Sequence, residues 1–188
     1  ASNVGGTTIG RPYISGGFDV SNGTVAYTYG RSDSPADIGV VIKGKTKVLT
    51  QLNEDILGYR KLGKVNEIIY KSSFDDEEIQ GWYITPPKFD PAKKYPLILE
   101  IHGGPHLAYG PHFSAELQIM AAAGYIVFYD NYRGSSSYGE DFALLLQYKY
   151  SSSEDFADHM SGIDALLDKG IVDENNLFIA GGSAGGIA

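Results

Sequence analysis

Hydrophobic and polar positions follow two different patterns along the chain. From Gly17 to about Leu52 they alternate in short runs cut by turn residues, while beyond Pro86-Pro87 the apolar runs become continuous and are separated by helical periodicity. In the first region, Phe18-Asp19-Val20, the turn Ser21-Asn22-Gly23 and Thr24-Val25-Ala26-Tyr27-Thr28-Tyr29 predict a hairpin. A loop is expected over Ser32-Asp33-Ser34-Pro35-Ala36-Asp37, then a strand over 38–42, a turn at Lys43-Gly44-Lys45 and a last strand over 46–50. Four short antiparallel strands in so little chain fit one blade of a β-propeller, whose repeat is about 40 to 50 residues. A small β-meander attached to another domain fits the same pattern, and the sequence holds no second copy of the repeat.

Residues 53–64 are mixed, polar and glycine-bearing, as a linker would be. Glu67–Lys71 and Ile79–Ile84 then flank Asp75-Asp76-Glu77-Glu78 and predict a second hairpin. Its four carboxylates lack the spacing of an EF-hand loop and are expected to form a solvated tip. The continuous apolar runs Leu97–Ile101, Tyr125–Tyr129 and Leu177–Ala180 read as parallel strands covered on both faces.

Helices are expected between these runs. Ser114 caps one that runs to about Ala123, with Leu117, Met120 and Ala121 on one face and Gly124 as its stop. A second lies near Asp141–Tyr148. A third, Glu154–Lys169, has Ser152 and Asp155 in capping-box spacing, a core stripe of Phe156, Met160, Ile163 and Leu167, and Gly170 at its end. On that helix Asp158, His159 and Asp164 are expected at the surface.

The candidate chemistry sits where apolar runs break into glycines. Gly181-Gly182-Ser183-Ala184-Gly185 has the spacing GxSxG, in which a serine on a tight strand-to-helix turn is flanked by glycines because side chains there would strike the neighbouring backbone. A helix starting just after Ser183 would aim N–H groups and its positive end at an oxyanion. After the first parallel run comes His102-Gly103-Gly104-Pro105, whose paired glycines let a backbone approach a substrate carbonyl. Each motif alone is a common turn. Together, the order strand, HGGP, helix, strand, helix, strand, GxSxG is that of an α/β-hydrolase.

Composition narrows the choice of partners. A hydrophobic share of 43% suffices for a core, and no apolar run approaches the roughly 18 to 20 residues of a membrane span. A net charge of −8 argues against nucleic acid or an anionic membrane surface as partner. The start, Ala1-Ser2-Asn3-Val4-Gly5-Gly6, has neither the basic nor the apolar region of a signal peptide. Without cysteine there is no thiolate nucleophile, disulfide or thiolate metal site. His102 and His106 share HxxxH spacing, but the glycines and proline between them prevent the helix that would aim both rings at one ion, so no metal or cofactor is expected.

The sequence resembles the prolyl oligopeptidase family of serine peptidases, in its branch of acylaminoacyl peptidases and dipeptidyl peptidase-like enzymes. The resemblance runs from about Phe18 to the end. It rests on Gly81-Trp82 to Pro86-Pro87, Tyr95-Pro96-Leu97 leading into His102-Gly103-Gly104-Pro105-His106, Asn131-Tyr132-Arg133-Gly134-Ser135 with Tyr138-Gly139, and Gly181–Gly186. It implies the end of a β-propeller over residues 1–57, a linker over 58–66 and the first half of an α/β-hydrolase catalytic domain over 67–188, ending after the nucleophile elbow. It further implies Ser183 as the acylated nucleophile and the N–H groups of Ala184 and Gly104 as the oxyanion hole, with His102, Gly103 and Arg133 holding the loops in shape.

A serine nucleophile needs a histidine base and an acidic residue to orient it, and in this fold both follow the serine. His102, His106, His112 and His159 all precede Ser183, so none is expected to be the base. The expected reading is a serine peptidase acting on short peptides through an acyl-enzyme, with a companion polypeptide or a further C-terminal segment supplying the Asp and His. A carboxylesterase of the same fold, or a catalytically incomplete binding module, are the alternatives.

Overall fold

Two turns set the first sheet. Asn22 and Gly23 have φ of 48° and 73°, and Lys43 and Gly44 have 48° and 75°, the paired left-handed residues of hairpin turns whose twist matches the strands they join. In this computed structural model, which describes residues 5, 6 and 8–188, they link β1 (Phe18–Ser21) to β2 (Thr24–Arg31) and β3 (Ser34–Ile42) to β4 (Lys45–Val48) in a meander of order β1-β2-β3-β4. Of the leader stretch considered above, Ala1–Val4 lie outside the described residues.

Three details depart from the sequence pattern. The loop expected over Ser32–Asp37 is only a two-residue turn, because Ser34 already pairs with Arg31; Pro35, which has no N–H to give a ladder, sits where the register shifts. β4 ends at Val48, and Thr50 uses its hydroxyl instead, accepting from Ile38 N at 2.9 Å and donating to Asp37 Oδ1 at 2.7 Å. The stretch expected as linker contains the single helical turn α1 (Glu54–Leu57), and the next strand begins at Lys64 rather than Glu67.

The second sheet has the order β5-β6-β8-β7-β9. β7 (Tyr95–Ile101) pairs in parallel with β8 (Ile126–Asn131) and β9 (Val172–Gly181), while β6 (Glu78–Thr85) runs antiparallel to β8 and to β5 (Lys64–Lys71). All six residues of β8 are buried, which is why its sequence is a continuous apolar run rather than an alternation. One face of the sheet packs Trp82, Ile84, Val127 and Tyr129 with Leu117 and Ala121 of α2 (Ala115–Ala122). The other packs Leu97, Leu99, Ile101, Ile126 and Phe128 with Ile163 and Leu166 of α4 (Ser153–Leu167). Ser114 caps α2 by accepting from Leu117 N, and Ser152 with Asp155 forms a capping box on α4. Between β8 and α4, the helix expected over Asp141–Tyr148 is the short α3 (Glu140–Leu144).

α4 is rotated from its expected setting. Its buried residues are Asp155, Asp158, His159, Ser161, Gly162, Ile163 and Leu166, whereas Phe156 is 64% exposed. Gly162 is the cause: a Cβ there would lie 2.3 Å from Phe128 Cζ, so the helix approaches the sheet most closely at its smallest residue. That rotation carries Asp158 and His159 inward, correcting the expectation that both are surface groups, and leaves Asp164 exposed. No helix among the described residues is long and apolar enough to cross a membrane.

Candidate active site

Ser183 sits at the carboxyl end of β9, exposed, with φ 59°. A non-glycine residue in this region is uncommon and marks a turn over-determined by its surroundings. A Cβ on Gly181 would fall 2.0 Å from Gly185 O, and one on Gly185 would fall 2.1 Å from Ile101 O. Neither contact can relax through a side chain, so the glycines two residues either side of the serine are required by backbone packing. Ser183–Gly186 form a 3-10 turn, closed by Gly185 N donating to Gly182 O at 3.1 Å. Ala184 is buried, and its carbonyl accepts from the Tyr150 hydroxyl at 2.6 Å.

The His102–Pro105 loop lies against this elbow because β7 and β9 are parallel neighbours ending at the same height, with Ile101 opposite Gly181. A Cβ built on Gly103 would stand 3.2 Å from Ser183 Cβ. Gly104 has φ 126°, open in practice only to glycine. The fold thus brings Ser183, Ala184, Gly103 and Gly104 together from segments about 80 residues apart in sequence.

His102 is fully buried, and both ring nitrogens contact loop atoms: Nδ1 lies 2.8 Å from Gly103 O and Nε2 lies 2.9 Å from Ser135 Oγ. Burial holds this ring below its ordinary pKa. The HGGP loop is further tied to the 133–136 loop, by His106 Nδ1 near Gly134 O at 3.1 Å and by Ser136 N donating to Leu107 O at 3.0 Å. Arg133, also fully buried, turns away from the elbow. Its Nε and Nη2 each donate to Asp158 at 2.9 Å, and Nη2 and Nη1 reach Asp75 at 2.8 and 3.1 Å. Burial opposes its charge, yet these carboxylates hold its pKa above the ordinary value. Asp75 is therefore an anchor for Arg133 rather than part of a freely solvated tip. Arg133 supports the site at one remove, by fixing the loop that His102 and His106 lean on.

Several polar groups near the site carry no sequence motif. Glu100, fully buried in β7 two residues ahead of His102, pairs with Arg11 Nη1 at 2.7 Å. Asp130 is fully buried at the end of β8, where it accepts from Tyr70 Oη at 2.7 Å and lies 3.0 Å from His159 Nδ1. The signal that could have found them is an acid inside or directly at the end of an apolar run, in Leu99-Glu100-Ile101 and Phe128-Tyr129-Asp130. No hydrogen bond joins the Ser183 hydroxyl to His102, His106, His112 or His159, and among the described residues no three His, Cys, Asp or Glu are grouped to hold a metal ion.

Residues 111–188 match the prolyl oligopeptidase family. The chain is 34% identical over 158 residues to the uncharacterized peptidase YuxL of Bacillus subtilis (strain 168), covering 83% of this chain and 24% of that protein. It is 33% identical over 168 residues to dipeptidyl-peptidase 4 of Giardia intestinalis, covering 86% of this chain and 22% of that protein. Its structure superposes on the acylaminoacyl peptidase of Pyrococcus horikoshii with a TM-score of 0.82 and 35% identity, over 90% of this chain and 27% of that one. The chain therefore spans about a quarter of the length of the relatives it matches. In fold, the five-stranded unit is part of an α/β-hydrolase, and the meander before it is a β-propeller blade.

Proposed function

Because residues 111–188 of this chain match the prolyl oligopeptidase family, we propose that it carries the nucleophile half of a serine peptidase acting on short peptides. The observation that supports this most is the strained, exposed Ser183 held beside Gly103-Gly104. In this reading Ser183 Oγ attacks the scissile carbonyl carbon, and its proton passes to a histidine base that lies outside these 188 residues. The carbonyl oxygen takes up the negative charge, stabilised by the N–H groups of Ala184 and Gly104. Collapse breaks the C–N bond, the base returns the proton to the leaving amine, and water then hydrolyses the ester at Ser183. The two parallel loops supply nucleophile and oxyanion hole; a companion polypeptide or a further segment supplies the His and the Asp that orients it.

The test is intact-mass measurement after a fluorophosphonate probe. In the presence of the partner that brings the base, this chain is expected to gain one probe mass on Ser183, and Ser183→Ala to gain none. The chain alone is expected to show no turnover, since losing the base costs several orders of magnitude in rate. A labelled Ser183→Ala variant, or an unlabelled Ser183 with the partner present, overturns the assignment. Cleavage of acyl-peptides faster than p-nitrophenyl esters separates the peptidase from a carboxylesterase.

A further inference from the structure

Before entering β1 the chain crosses the α/β unit as a strap. Ala115 N donates to Ile9 O at 2.8 Å, Ser114 Oγ to Gly10 O at 2.6 Å, Gly110 N to Pro12 O at 2.9 Å and Ile14 N to Ala108 O at 2.9 Å. Tyr13 forms an antiparallel bridge with Tyr109. The strap then leaves for the meander, where Thr28 N donates to Gly17 O at 2.9 Å.

At its centre the strap meets both flanks of Ser183. The Tyr13 hydroxyl accepts from Gly103 N at 3.1 Å, and its ring packs 4.7 Å from Tyr109 and 6.5 Å from His102. The Arg11 guanidinium stands over Gly182, where an added Cβ would lie 3.0 Å from Nη1. Arg11 is held there by Glu100 at 2.7 Å and by Glu116, 3.3 Å from Nε. A buried carboxylate such as Glu100 needs a cation and hydrogen bonds to stay charged. Arg11 provides the first, and the Tyr109 hydroxyl donates to Glu100 Oε1 at 3.3 Å.

Gly103 and Gly104 have no side chains of their own to fix their peptide planes, and Gly104 at φ 126° lies in a region that glycine enters freely; the peptide that carries the Gly104 N–H is held through Gly103 O, 2.8 Å from His102 Nδ1. The peptide before it is held from outside the loop at both ends, His102 O accepting from the Tyr132 hydroxyl at 3.1 Å and Gly103 N donating to the Tyr13 hydroxyl at 3.1 Å. We propose that Tyr13 and Arg11 are positioning residues of the site: Tyr13 fixes the His102–Gly103 peptide, the base from which the next peptide presents the Gly104 N–H to the carbonyl attacked by Ser183, and Arg11, seated on Glu100, locks the strap that carries Tyr13. The proposal rests on the nucleophile and oxyanion assignment above, and gives it a link to the meander.

Tyr13→Phe removes one hydroxyl and keeps the ring. In that variant the Gly103 and Gly104 amides are expected to exchange hydrogen about tenfold faster, with protection in β7 and β8 and the melting temperature close to wild type. With the base-bearing partner present, the fluorophosphonate labelling rate at Ser183 is expected to fall about tenfold while binding of an unreactive peptide is unchanged. Arg11→Lys, which keeps a cation beside Glu100, is expected to lose less than Arg11→Met. Wild-type exchange at Gly103 and Gly104 in Tyr13→Phe overturns the proposal, as does faster exchange with an unaltered labelling rate. If wild type itself is not labelled at Ser183, it is the nucleophile assignment that fails, and the exchange measurement still decides whether Tyr13 holds the loop.

Discussion

Gly181 and Gly185 are fixed by two backbone atoms. For Gly185→Ala the new methyl would meet Ile101 O at 2.1 Å and His102 O at 2.9 Å, atoms that cannot move without displacing the end of β7. The variant is expected to lose about 3 kcal/mol in urea unfolding and to abolish labelling of Ser183. Gly17→Ala, with nothing within 4 Å of its added methyl, is expected to stay within about 0.5 kcal/mol of wild type; equal losses in both variants would show that steric closure is not what the elbow glycines avoid. Arg133 makes the opposite case. Its spacing from the motifs says only that it belongs to a loop, whereas its partners Asp158 and Asp75 lie 25 and 58 positions away and are identified by geometry alone.

Within the five-stranded sheet, β9 is the most exposed strand. It ends the sheet with one edge unpaired, and Leu177, Phe178 and Ile179 are 38%, 50% and 63% exposed. Register places Leu177 and Ile179 on the α4 face and Phe178 on the other, where its ring lies 5.8 Å from Tyr125. Leu177 and Ile179, with Phe156 and Met160, line a groove of about 320 Å³ beside α4. The stripe expected to be core on α4 thus faces partly into this groove, because Gly162 sets the rotation of the helix. A long, apolar, unpaired edge invites association. The chain is expected to self-associate with rising concentration in sedimentation velocity, and Ile179→Lys to raise the concentration needed about tenfold, the effect of one lost apolar contact. Unchanged association in that variant would place the contact elsewhere.

At the level of the whole molecule, the buried pair His159–Asp130 makes stability depend on pH. Burial works against the charged ring, but the carboxylates of Asp130, Asp158 and Asp155, Asp130 foremost, together outweigh it and raise the His159 pKa above 6.5. Burial likewise opposes the Asp130 charge, and His159 with Tyr70 lowers its pKa below 3.8. A raised histidine contributes stability that is complete below pH 6.5 and is lost as pH rises through its folded-state value. A depressed aspartate contributes stability that is lost as pH falls through its own. The melting temperature of wild type is therefore expected to exceed that of Asp130→Asn most in the acidic-to-neutral range, and the gap to narrow as pH climbs beyond 6.5. For a chain of this size each kcal/mol is about 2 to 4 °C. A gap constant from pH 6 to pH 9 would mean that the pair does not titrate there.

The change of grammar near Pro86-Pro87, the three parallel strands, the capped helices and the elbow were legible in the sequence because each depends on neighbours only a few residues away: a turn's φ, a cap's reach, the period of a strand or helix. Ser183, Gly103 and Gly104 were legible for the same reason, since close backbone approach requires glycine wherever it happens. The rotation of α4, the pairing of Arg133 with Asp158 and Asp75, the burial of His159 on Asp130, and the strap that sets Arg11 on Glu100 and Tyr13 on Gly103 were not. Each joins residues that the sequence separates by 25 to 90 positions, and all but the rotation of α4 involve a polar side chain whose partner is chosen by burial. Composition and periodicity report whether a residue prefers water; only packing decides which charge is taken out of it, and against what.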